Sequence, residues 1–150
     1  MSHDDLLKQR RIQKHKASPE EVDSALDLAR RDIKTARILL DQDWDWSFAV
    51  AYNAVLQASR SYMFATGFRP ASNESHKNTF AFMLQAVGDE HKDMVTYFDR
   101  MRLKRNQTIY DVAGVITETE AFSILQKAEA FVHMIAHELT RRECRPTEES

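Results

Sequence analysis

At 150 residues, with 43% apolar and 29% charged side chains, the chain has material for one folded domain and is too apolar for disorder. Its 21 basic and 23 acidic residues leave a formal charge of −2, which excludes a global attraction to nucleic acid and leaves only a local basic patch. Cys144 is the single cysteine, so no internal disulfide forms; no run approaches the roughly 18 apolar residues of a membrane span, and the acidic Met1–Asp5 start lacks a signal-peptide core, so a cytoplasmic setting is expected.

Only three Gly and three Pro occur, and this scarcity of breakers favours long helices. Residues 1–17 carry Lys8, Arg10, Arg11, Lys14 and Lys16 and read as a flexible or short helical arm. Ser18-Pro19-Glu20-Glu21 then starts a helix, because Ser18 and Glu21 form a capping box and Pro19 suits the first turn. Val22, Leu26, Ala29, Ile33, Ala36 and Leu40 follow at intervals of four and three, the apolar stripe of an amphipathic helix. Asp43 or Asp45 is placed to cap a second helix reaching about Ala65, with Gly67 as its stop. Phe48, Ala51, Tyr52, Val55, Ala58 and Tyr62, widened by Val50, Ala54 and Met63, make it apolar over most of its circumference, so it belongs at the centre.

Phe68 to Ser75 reads as a loop. A shorter helix follows from about His76 to Val87, with Phe80, Met83, Leu84 and Val87 inward. After Gly88-Asp89, a fourth helix carries Met94, Phe98 and Met101 on its inner face. Gly114 interrupts again. Thr117 and Glu120 form a second capping box, opening a last helix with Phe122, Leu125, Ala128, Val132, Ile135 and Leu139 on one stripe. Strand-type alternation is absent. The expectation is an all-α, up-and-down antiparallel bundle of four to five helices over residues 18–142, with a polar tail at 143–150.

The chemistry points to the end of the fourth helix. Extending its stripe by four residues from Met101 lands on Arg105, and a cation on an apolar stripe is costly to bury unless paired. Asn106 is next to it, and Tyr110 follows one turn later, about 40° further around the axis if the helix persists. Arg102 precedes them on the same side. Arg105, Asn106 and Tyr110 therefore offer a guanidinium, an amide and a phenol to one space, with Arg102 as a further phosphate ligand. The plainer reading pairs Arg105 with a carboxylate or extends it to solvent.

Other groups are weaker. The run Arg100, Arg102, Lys104, Arg105 is either a phosphate-binding surface or a solvated face, and Tyr52, Tyr62 and Tyr97 are either stacking platforms or core. His133 and His137 with Glu138 lack the paired Glu-x-x-His of metal-centred bundles, so no metal and no cofactor is expected. His76, at a helix start, is either a loop residue or a source of imidazole. Cys144 has no neighbouring base.

The segment Arg105-Asn106-Gln107-Thr108-Ile109-Tyr110-Asp111 resembles the signature of the HEPN family, the higher eukaryote and prokaryote nucleotide-binding helical bundles. That signature is an Arg, usually a polar residue such as Asn, then a His after four to six positions. Trp46–Pro70, containing SFAVAYNAVLQASRSYMFATGFRP, is similar to the family's central helix and the glycine turn after it. Ser75-His76-Lys77 resembles the next helix start, and Ala128–Ile135 the closing helix, so the likeness spans about residues 20–140. It implies a homodimer with both signatures in one cleft. It also implies either a metal-independent endoribonuclease, often paired as a toxin with a small nucleotidyltransferase, or a non-catalytic nucleotide- or RNA-binding domain.

The sequence departs from the signature at Tyr110, which stands where the family has His. Imidazole exchanges protons near neutral pH, whereas a phenol with a reference pKa of about 10 is a poor base there. Arg105 and Asn106 keep the phosphate-binding half of the signature. The expectation is thus a ligand-binding or weakly active member, with Arg105 and Tyr110 as the catalytic pair if it cleaves RNA, and a nucleotidyltransferase-docking module as the third reading.

Overall fold

The computed structural model describes residues 2–111 and 113–143, and for Tyr110 and Asp111 the backbone alone. Six α-helices appear in chain order: α1 (His3–Lys8), α2 (Pro19–Leu39), α3 (Trp44–Thr66), α4 (Ser75–Ala86), α5 (Asp89–Asn106) and α6 (Glu118–Glu143). Two three-residue strands, β1 (Ile12–Lys14) and β2 (Phe68–Pro70), join them, and a π-helical turn (Gln107–Asp111) extends α5. The fold is an all-α bundle. No helix among the described residues is long and apolar enough to cross a membrane.

The helix starts obey local chemistry. Ser18 accepts from the Glu21 amide while the Glu21 side chain answers the Ser18 amide, with Pro19 in the first turn. Asp43 caps α3 through the Trp46 amide, and Gly67 closes it at φ 93°, a left-handed conformation that glycine adopts without steric cost. Asp45 instead reaches across the chain to accept from the amides of Gly114 (2.6 Å) and Ile116 (3.1 Å), fixing the approach to α6. Thr117 and Glu120 cap α6 reciprocally.

α3 occupies the centre, as its wide apolar surface requires. Phe48, Ala51, Tyr52, Ala54, Val55, Ala58 and Met63 are fully buried among α2, α4, α5 and α6. Two buried serines stitch it to α2: Ser47 donates to the Ala36 carbonyl at 2.8 Å and Ser61 to that of Val22 at 2.9 Å. The α2 stripe is buried at Leu26, Ala29, Ile33 and Ala36.

Three features differ from the expectation. The segment before Ser18 carries the short helix α1, one of its two expected forms, and adds a strand: Leu6 and Ile12 are buried in the core, and β1 pairs antiparallel with β2 in the register Ile12↔Pro70, Gln13↔Arg69, Lys14↔Phe68. Arg11 donates to Asn78 on α4 (3.0 Å), and His3 stacks on Phe82 with ring centroids 4.7 Å apart. Part of the stretch expected as a loop is therefore β2. On α6 the inner stripe begins at Ala121 and runs through Leu125, Ala128, Val132, Ile135 and Leu139, so Phe122 lies one position off it and is 49% exposed. Finally, α6 continues through Arg141 to Glu143; Cys144 and the rest of the tail lie outside the described residues.

Candidate functional site

α5 delivers Arg105 to the bundle as its stripe dictates. Val95 and Phe98 are buried, Met94 and Met101 pack against the core, and Arg105 is half-buried at the last turn. Its guanidinium carbon sits 5.8 Å from the centroid of the Tyr52 ring. No carboxylate lies within ion-pair distance of it among the described residues, and its buried Nε has no hydrogen-bond partner among them. Thr108 Oγ1, on the π turn, is likewise buried without a partner. Such orphaned donors are rare, and in native proteins they tend to mark sites where a ligand or ion completes the set.

Tyr52 brings a second group to Arg105. Its hydroxyl lies 3.4 Å from Nδ1 of His76, on the first turn of α4, and the two rings are 5.8 Å apart. Burial pushes the Tyr52 phenol far above its usual range, against the pull of Arg105 and Arg102. Burial also pushes the His76 imidazole down, and Arg105, Arg102 and Arg60 add to that effect. The imidazole is consequently neutral at neutral pH, while the phenol keeps its proton. In that state the hydroxyl donates to Nδ1 when the imidazole proton sits on Nε2 and accepts from it when the proton sits on Nδ1.

The other expected residues divide. Arg102 donates through Nε to Asp99 at 3.4 Å and contributes charge to the cluster. Asn106 is half-buried at the last position of α5. Tyr110 lies on the π turn, whose i→i+5 hydrogen bonding narrows the angular gap between positions 105 and 110; its side chain lies outside the described residues. The basic run does not act as one surface, because Lys104 is paired with Glu120 and Arg100 is exposed. Tyr97 packs on Phe98 and under Lys127, and Tyr62 lies beneath Arg142, so neither joins Arg105. His133 and His137 are exposed on α6, and no cluster of three metal-ligating side chains occurs among the described residues.

Sequence reasoning thus found the cation and missed its setting. Tyr52 reads as core, which it is, and its hydroxyl contact with a residue 24 positions away follows from the packing of α4 on α3. The signal within reach was His76 itself, a titratable ring on the first turn of a helix, just before the buried Asn78 and Thr79.

A protein-family model described as the HEPN domain matches residues 22–139, which takes in nearly all of α2, the whole of α3 to α5, the π turn and most of α6. The docked arm and β1 fall outside that match. No curated protein matches the chain.

Proposed function

The chain belongs to the HEPN domain family, and on that premise we propose that it binds the phosphate of a nucleotide or of RNA at the end of α5. The observation that carries this reading is the half-buried Arg105 guanidinium, held over the Tyr52 ring with an unsatisfied Nε. A phosphate oxygen supplies the missing acceptor and offsets the desolvation of the cation. Asn106 and Arg102 flank that phosphate.

The test is affinity for short single-stranded RNA, read by fluorescence anisotropy or calorimetry. Arg105→Ala is expected to weaken binding by about 10- to 100-fold, the usual worth of a charge-assisted contact. Affinities unchanged by that substitution would sink the reading.

A second reading has its own observation. His76 supplies near Arg105 the neutral imidazole that the signature position lacks. As an endoribonuclease the site would work without metal: His76, in the tautomer with Nδ1–H bonded to Tyr52, takes the 2′-hydroxyl proton on Nε2, the 2′ oxygen attacks phosphorus, and the P–O5′ bond breaks as water protonates the 5′ oxygen, leaving a 2′,3′-cyclic phosphate and a 5′-hydroxyl. Cleavage in EDTA that yields this product and disappears in both Arg105→Ala and His76→Ala supports it. Intact RNA at high protein concentration removes it.

We further propose a homodimer. Leu103 on α5 is 64% exposed and Phe122 on α6 49% exposed, and the Lys104–Glu120 ion pair ties together the two helices that carry them. A contact through these side chains sets the two Arg105 sites close to a single cleft.

A further inference from the structure

The polar positions of α3 recur at Asn53, Gln57 and Arg60, with Phe64 one turn beyond, spacings of four, three and four that place them on one face of a helix otherwise packed in core. Asn53, Gln57 and Phe64 are half-buried there and Arg60 is exposed. That face forms the floor of a cleft of about 460 Å³, walled on one side by His15 and Glu21 and on the other by Arg69, Pro70, Ser72, Ser75, His76 and Thr79. The volume falls within the range of small-molecule sites, about 300–1,000 Å³.

Its electrostatics are one-sided. Arg60 and Arg69 both line it, and neither has a carboxylate partner among the described residues: Arg60 rests over the Phe64 ring, and Arg69 donates only to the Gln13 amide oxygen. The one acidic side chain in the cleft, Glu21, is occupied by His15 at 2.8 Å and by the Ser18 amide, and these bonds hold its carboxyl below the usual range. α4 begins at the cleft with Glu74 in a left-handed conformation and no side-chain cap, so its first-turn amides are not claimed by a side chain. Two free guanidiniums and an uncapped helix start are donors for a dianion. Gln57 makes no side-chain hydrogen bond among the described residues, and Asn53 makes a single long one to Asp32 at 3.4 Å. These amides are suited to a polar body attached to the anion.

We propose that this cleft binds a small phosphate monoester of nucleoside or sugar size. Arg60, Arg69 and the start of α4 hold the phosphate, and Asn53 and Gln57 hold the body. Part of its wall, His15 and Glu21, lies outside the residues that match the family model. It stands independently of the Arg105 reading, since the two sites share only His76 on their common wall.

The experiment is calorimetric titration of the full chain with adenosine 5′-monophosphate, ribose 5-phosphate and inorganic phosphate, for wild type, Arg60→Ala and Arg105→Ala. At least one ester is expected to bind about tenfold tighter than inorganic phosphate. Arg60→Ala is expected to weaken that ester about tenfold, and Arg105→Ala to alter it by less than about twofold. Tighter binding of the nucleotide identifies a nucleoside body, and tighter binding of ribose 5-phosphate a sugar body. In wild type, the side-chain amide resonances of Asn53 and Gln57 should shift on titration, which tests the site without any variant. Esters no tighter than inorganic phosphate, amide resonances that stay still, or loss of binding in Arg105→Ala but not in Arg60→Ala would each overturn the assignment.

Discussion

Replacing Arg105 by Met should leave the free protein more stable while abolishing RNA binding. The Arg105 Nε is buried without a partner among the described residues, and an unsatisfied buried donor costs about 1–3 kcal/mol. Against this, Met forfeits the contact of the guanidinium with the Tyr52 ring, worth about 0.5–1 kcal/mol for a partly exposed cation at 5.8 Å. The unbranched thioether follows the path of the arginine stem, so packing against Tyr52 is largely kept. The net expectation is a gain of about 0.5–2 kcal/mol, or about 1–8 °C in Tm for a chain of this length. Urea denaturation measures the first and a thermal melt the second. Saturating RNA should then raise the Tm of wild type and not that of Arg105→Met, because only wild type offers the phosphate its donor. A variant less stable than wild type by more than about 1 kcal/mol would refute the reasoning, since it would mean the guanidinium already has a strong partner and serves the fold.

Four further outcomes are expected. Asp45→Ala should destabilise by about 2 kcal/mol in urea titration, through loss of two bonds from amides to a charged acceptor, while Asp45→Asn keeps one acceptor oxygen and should lose less. His76 has a folded-state pKa below its reference of 6.5, so the unfolded chain takes the proton first: its penalty is absent well above 6.5 and grows as the pH falls through 6.5 towards the folded value. The stability lost between neutral pH and about pH 5 should therefore be smaller in His76→Gln than in wild type, and equal losses would contradict the assignment. Gly67→Ala should cost about 1 kcal/mol from its φ of 93° alone, since an added Cβ there meets nothing within 4 Å. Phe122→Glu should halve the molar mass measured by light scattering if α5 and α6 form the dimer contact; an unchanged mass places the contact elsewhere.

What the sequence discloses follows the range over which its physics acts. Capping boxes at Ser18–Glu21 and Thr117–Glu120 operate over three residues, and both are present as read. The stripes of α2 and α5 are legible because one face of each meets the core. α6 shows where periodicity fails: Ala121 and Phe122 are both apolar, and only the orientation fixed by packing on α3 decides that the smaller one faces inward. β1 and β2 are three residues each, too short for alternation to register, and their pairing joins positions more than fifty apart. Arg105 was visible because a cation interrupts an apolar stripe. Tyr52 and His76 stayed open choices in the sequence, core or platform and loop residue or imidazole, because neither breaks a local rule; only the approach of α4 to α3 makes them partners of Arg105.

His3 Nε2, Ser59 Oγ and Gln85 Nε2 are also buried without a partner among the described residues, but two open places beside α3 argue for two functional compartments. Side-chain caps close the starts of α1, α2, α3 and α6. α5 begins uncapped at exposed Gly88, where water satisfies its amides, but α4 begins uncapped inside a cleft lined by two arginines. At the other end of α5, Arg105 Nε and Thr108 Oγ1 are orphaned around a π turn. Local rules are most often relaxed where a ligand completes the structure. Tyr52 and Asn53, consecutive on α3, look one into each compartment, and His76 touches both. A ligand on either side that moves this imidazole alters the other side equally, because linkage between two binding sites is reciprocal. A phosphate monoester in the cleft should then shift RNA affinity at Arg105 in wild type and leave it unshifted in His76→Ala, a difference that anisotropy titrations with and without the ester would measure directly.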